Sequence, residues 1–219
     1  MPALIRYYAA LLMRSGRWLP ATIFYAAIVS IGTQGSAKIG EALGYAGAGL
    51  VPSVAWLTRA ALTAEPEAAR HCVAGAVGPR RPHLAALAAA AIGGLVLAAG
   101  GAAAMVSAVG TVRPATALAA GLLTMVLCAV AGSAVGALCN PPILVRASWA
   151  IPVAGILAIT VLVAAGSPVN AAIRGITPSD RGARLPLLPA VLVVAATAVC
   201  WTVSTFVAAR KEFHVGESD

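Results

Sequence analysis

Glu65, Glu67, Arg70 and His71 stand in one short run, and Arg80, Arg81 and His83 follow it, in a chain whose charged residues make up only 10%. Carboxylates beside a histidine invite a general acid–base reading. That chemistry needs a nucleophile–base or carboxylate pair at hydrogen-bond reach. Glu65 and Glu67 are two residues apart, so on a helix they face different ways, and no histidine stands where it would complete a pair. The spacing suits contact chemistry instead. Glu67 lies three residues before Arg70 and four before His71, which puts all three on one helical face. Glu65, Pro66 and Glu67 read as an acidic first turn, with proline tolerated early. The helix is expected to end near Gly75 or Gly78, before Pro79-Arg80-Arg81-Pro82. The interval 64–83 is then either a charged helix shaped to press on a soluble partner or a solvated loop.

No other chemistry emerges from the residue types. Cys72, Cys128, Cys139 and Cys200 form no C-x-x-C and have no histidine at ligand spacing, so they read as small apolar filler rather than a metal site or disulfide framework. Lys38 and Lys211 are not followed by Ser or Thr, which excludes a G-x-x-x-x-G-K-[ST] phosphate loop. The chain is expected to hold no cofactor or metal of its own and to be no enzyme.

The elements that must position these residues are apolar. Hydrophobic residues make up 60% of the chain, and the mean hydropathy is +0.91. So few polar groups cannot cover the surface of a soluble domain, and the class is an all-α integral membrane protein. The net charge of +8 matches the basic bias of cytoplasmic loops. Nucleic acid is excluded as a partner, because that would require a clustered basic face with stacking aromatics, and aromatics are 5%.

Six segments approach the length needed to cross the hydrocarbon, at 18–34, 43–63, 84–108, 114–138, 149–166 and 186–208. The fifth is short, and the Ser167 stretch can complete it. With the N-terminus inside, Arg6, Arg14, Arg17, Arg59, Arg70, Arg80, Arg81, Arg146, Arg210 and Lys211 are cytoplasmic. Lys38, Arg113, Arg174, Arg181 and Arg184 are then external, and the imbalance supports N-in and C-in. The whole of 1–219 is one transmembrane domain, with 64–83 a cytoplasmic loop. Residues 1–17 read as an amphipathic interfacial helix. Arg6, Arg14 and Arg17 fall within about 80° of one another, opposite Leu4, Ile5, Tyr8, Leu11 and Leu12.

Two further patterns concern packing. Gly132 and Gly136 form a G-x-x-x-G pair, read as close packing within one bundle in preference to a dimer seam. In 167–185, Ser167-Pro168 looks like an N-cap and first helical position, Gly175 a stop and Pro178 a bar to resumption. A short re-entrant or surface helix is expected there, with an ordinary external loop as the alternative. No ionisable residue falls centrally in any expected span, and Arg59 is the nearest. Ion-coupled carriers and intramembrane enzymes keep such groups at membrane depth, so the pattern disfavours both.

Taken together, the layout resembles the membrane permeases of ABC-type exporters of the ABC-2 class. The resemblance rests on the amphipathic N-terminal helix, six spans, the acidic helix after the second span with its Pro/Arg run, and the outer feature between spans five and six. Family members commonly carry an acidic, arginine-containing run, a Gly-Thr and a Pro-x-x-Arg-like element. Here Glu65, Glu67 and Arg70, then Pro79, Arg80 and Arg81, occupy those places, and Arg70-His71 stands where Gly-Thr would be. The resemblance implies a cytoplasmic ATP-binding subunit carrying ATP and Mg²⁺, coupled through Glu65, Glu67, Arg70 and His71. It also implies a second permease copy or paralogue. In such folds the second and fifth spans face that partner, which makes Ser53, Trp56, Trp149 and Thr160 candidates for lining the path. The expected cargo is a hydrophobic or amphipathic small molecule or peptide. Abundant alanine and the excess of arginine over lysine fit a GC-rich bacterial genome, and so a bacterial cytoplasmic membrane. A non-transporting scaffold or sensor that uses the same loop to hold a soluble partner is the alternative.

Overall fold

The computed structural model describes residues 1–35, 38–110, 115–140, 143–144, 147–176 and 185–215. Among them are nine helices and no strand. They are α1 (Pro2–Ser15), α2 (Leu19–Gly35), α3 (Ile39–Leu62), α4 (Glu67–Val77), α5 (Arg80–Val109), α6 (Ala115–Leu138), α7 (Ala147–Val163), α8 (Pro168–Ile176) and α9 (Leu187–Val215). Arg113, Arg146, Pro178, Arg181 and Arg184 lie outside the described residues, as do the side chains of Glu67 and Lys211.

Three helices, α5, α6 and α9, are individually long and apolar enough to cross a membrane. A fourth span results if α7 and α8, bent by 50° at their junction, count together. The bend follows from Pro168, which brings no N–H to continue the ladder of α7. Its freed groups find local partners: the Ser167 amide donates to the Ala164 carbonyl (2.9 Å) and the Asn170 side-chain amide to that of Leu162. The helix passes Gly175 and ends at Ile176, one residue beyond the expected stop.

The core is built on α3, which is buried along almost its whole length and packs chiefly against α6 and α5. Small residues make this possible. A Cβ at Gly132 would come within 2.7 Å of the Val51 carbonyl oxygen, and one at Gly136 within 2.5 Å of the Thr58 Cβ. The G-x-x-x-G pair therefore seats α6 on α3 inside one chain. Lipid tails are as apolar as the side chains, so close van der Waals contact of this kind must supply the association energy.

Two expected boundaries and one expected lipid-facing side are corrected. The N-terminal helix stops at Ser15, because Gly16 takes the left-handed conformation (φ 66°), which leaves Arg17 beyond it. The side of α1 carrying Tyr8 and Leu12 is covered by protein and packs with Leu62, Ala85, Ala86 and Ala90. Lipid therefore does not take the whole apolar face. The third apolar helix starts at Arg80, ahead of the expected residue 84, because Pro79 and Pro82 are both tolerated at a helix start.

Candidate functional site

The interval 64–83 folds as a turn, α4 and the first turn of α5. The helix begins at Glu67, with Pro66 as its extended N-cap (φ −60°, ψ 147°), so Glu65 is not part of an acidic first turn. It ends at Val77, where Gly78 adopts φ 83° and its amide donates to the Ala74 carbonyl (2.8 Å). Among the described helices α4 packs on α5 alone. His71, Cys72, Gly75 and Ala76 are exposed, and so are Arg80 and Arg81 at the start of α5. A cleft of about 460 Å³ separates the end of α4 from α9, bordered by Ala76, Gly78, Arg80, Arg81 and Ala209.

Glu65 points the other way. It is buried at 4% exposure, and its two carboxyl oxygens accept hydrogen bonds from Tyr8 (2.5 Å) and Tyr7 (3.1 Å) of α1. Arg17 donates from the same side to the Thr63 carbonyl, and Arg70 of α4 reaches back to the Leu62 carbonyl at 2.6 Å. The unpaired C-terminal carbonyls of α3 are thus met by two guanidinium groups. The turn that carries α4 is clamped between the N-terminal helix and α3. Of the four expected coupling residues, His71 is exposed for contact, while Glu65 and Arg70 hold the joint and Glu67 opens the helix. Nothing in the local sequence marked Tyr7 and Tyr8 as the partners of Glu65.

Burial, then the hydrogen bond to Glu65, raises the pKa of Tyr8 above the ordinary phenol range, and the same causes in the same order raise that of Tyr7. Both phenols therefore donate at neutral pH. A raised folded-state pKa contributes stability that is full below the unfolded value, about 10, and is lost as pH climbs through the folded one. Alkaline titration should show Tyr8 ionising later than an exposed tyrosine, with α1 detaching above pH ~10. Tyrosinate absorbance checks this, and Glu65→Gln should move the late component toward the ordinary value.

His83 closes a second joint. Its Nε2 lies 2.8 Å from the hydroxyl of Ser204 on α9, which itself donates to the Ala137 carbonyl of α6 at 3.2 Å. A hydroxyl has one proton, so with that proton on Ala137 the imidazole Nε2–H donates to Ser204. Ser204 is fully buried, so this serine–histidine contact ties α5, α6 and α9 together and offers no nucleophile to a substrate.

Of the four candidate path residues, three are exposed and one is buried. Ser53 is fully buried, its hydroxyl on the Gly49 carbonyl, and Thr160 is exposed with its hydroxyl on the Ile156 carbonyl. Trp149 is exposed at the start of α7. Trp56 lines a groove of about 240 Å³ between α2, α3 and α7, with Arg59 and Asn140 at its polar end. Among the described residues no group of three or more His, Cys, Asp or Glu side chains could hold a metal. No protein-family model, curated protein or solved structure matches the chain.

Proposed function

We propose that this chain is the permease subunit of an ATP-driven exporter of the ABC-2 class in a bacterial cytoplasmic membrane. It moves a hydrophobic or amphipathic small molecule or peptide outward. In this reading α2, α3, α5, α6, the α7–α8 pair and α9 are six spans, both termini are cytoplasmic, and a second copy or paralogue completes the transporter. ATP and Mg²⁺ are held and used by a separate cytoplasmic subunit. The observation that carries the reading is α4, a short helix with an exposed face, joined rigidly to the central helix α3 through Arg70 and the Glu65 clamp. A push on such a helix passes to α3 without being lost in a loose linker.

The test is co-purification with the products of the neighbouring genes, followed by ATPase and export assays in proteoliposomes. The expected result is a complex whose ATP hydrolysis rises with the permease. A Cβ at Gly75 meets nothing within 4 Å, so Gly75→Trp should leave the isolated fold intact while obstructing a docked partner. It should weaken assembly roughly tenfold or more, as blocking the centre of an interface does. Arg80→Glu with Arg81→Glu should act in the same direction. Recovery of no ATP-binding subunit would overturn the proposal. Loss of docking with export unchanged would identify a scaffold instead.

A further inference from the structure

Arg59 stands in the last turn of α3, at the polar end of the groove between α2, α3 and α7. The walls are apolar, formed by Phe24, Trp56, Ile151 and Gly155 among others, and among the described residues Arg59 and Asn140 bring the only charged or amide side chains. Asn140 is buried at 1% exposure. Its amide nitrogen donates to the Gly136 carbonyl (2.6 Å), which turns its oxygen toward Arg59 Nη1 at 2.8 Å. That bond uses one of the five guanidinium donors and orients the fork. It does not neutralise the charge.

No described carboxyl group does so either. Glu65 is engaged by Tyr7 and Tyr8, and Glu41 lies in the first turn of the same helix, about 27 Å away at 1.5 Å per residue. A part-buried guanidinium in an apolar groove is costly unless an anion meets it. Its planar donors match phosphate oxygens. Phe24, Trp56 and Ile151 also expose much of their surface, so the groove opens onto the apolar outside of the bundle. A free phosphate would leave those walls unused. An anion carrying an acyl chain would cover them.

We propose that this groove binds an anionic phospholipid of the surrounding bilayer, its phosphate on Arg59 and its first acyl carbons against Phe24, Trp56 and Ile151. The groove lies beside α3 and α7, the spans that the exporter reading turns toward a second permease copy; the test reads lipid binding by this chain, and its outcome does not depend on that reading. The test uses the detergent-purified protein with phosphatidylglycerol, phosphatidylcholine or soluble glycerol phosphate, read by thermal shift and by native mass spectrometry. Phosphatidylglycerol is expected to raise the Tm and remain bound, phosphatidylcholine to do so at least tenfold more weakly, and glycerol phosphate to have no effect. Arg59→Gln should abolish the preference for phosphatidylglycerol, and Arg59→Lys should keep part of it. Gly155→Phe fills the groove from a position whose Cβ meets nothing within 4 Å, and it leaves Arg59 in place. It should keep the unliganded Tm and lose the lipid shift. Equal shifts with both lipids, or a shift that survives Gly155→Phe, would overturn the proposal. A shift with glycerol phosphate alone would assign the groove to a soluble anion and overturn the lipid assignment.

Discussion

Gly136→Val is expected to break the seat of α6 on α3. The added Cβ would lie 2.5 Å from the Thr58 Cβ and 2.9 Å from the Ala55 carbonyl oxygen, neither of which is the free end of a flexible side chain. One helix must therefore move off the other, and α3 is largely buried among α2, α5, α6 and the α7–α8 pair. Overpacking of this kind costs about 1–3 kcal/mol and sometimes more. Backbone contact puts Gly136→Val at the upper end of that range. Gly132→Val should add to it, because its Cβ would press on the Val51 carbonyl one turn away. Denaturant unfolding in mixed micelles measures the loss, with Gly100→Val as the control. The Cβ at Gly100 meets nothing within 4 Å, so that change should leave stability nearly unaltered. If Gly136→Val unfolds no more easily than Gly100→Val, the α3–α6 contact does not hold the core.

Glu65→Ala is expected to have the next largest effect, on both stability and coupling. Tyr8 is buried at 4% exposure and would keep a hydroxyl with no acceptor, at a cost of about 1–3 kcal/mol. Tyr7 is partly exposed and can turn to water, so its share is small. The useful comparison is with Tyr8→Phe, which removes the donor and keeps the carboxyl. If the clamp acts as a joint, each change should raise protease sensitivity in the turn between α3 and α4. Under the exporter proposal, each should also reduce the permease-stimulated ATP hydrolysis of the ATP-binding subunit without altering its ATP affinity, since both residues are buried within this chain. If Glu65 touched the partner directly, Glu65→Ala alone would impair assembly and Tyr8→Phe would not.

Much of the helical frame is legible along the chain. A segment in lipid must satisfy its own backbone, so an apolar run flanked by glycine, proline or charge announces a helix and its ends. The expected segments 18–34 and 114–138 correspond as helices to Leu19–Gly35 and Ala115–Leu138, and the second is long and apolar enough to cross a membrane. The ends fail where a proline serves as a start signal, as at Arg80. They also fail where a glycine lies one residue inside the true terminus, as at Gly175 and Ile176. The end of α4 was legible too, because Gly78, one of the two expected stops, caps the helix after Val77.

Partnership was not legible. By its type and neighbours Glu65 belongs to a solvated acidic turn, yet it is buried against Tyr8, 57 residues earlier. Arg59 looks like an ordinary interfacial cation, yet Asn140, 81 residues later, turns its guanidinium into an apolar groove. Helix periodicity records hydrogen bonds made within one segment, three or four residues apart. Which side chain meets which across the bundle depends on how closely two backbones approach, and here glycines at 132 and 136 set that distance. The sequence alone thus determined an all-helical, apolar chain with one charged helix left outside its core. The tertiary structure alone decided that Glu65 turns inward to brace that helix, and that Arg59 faces an apolar groove in which no described carboxylate meets it.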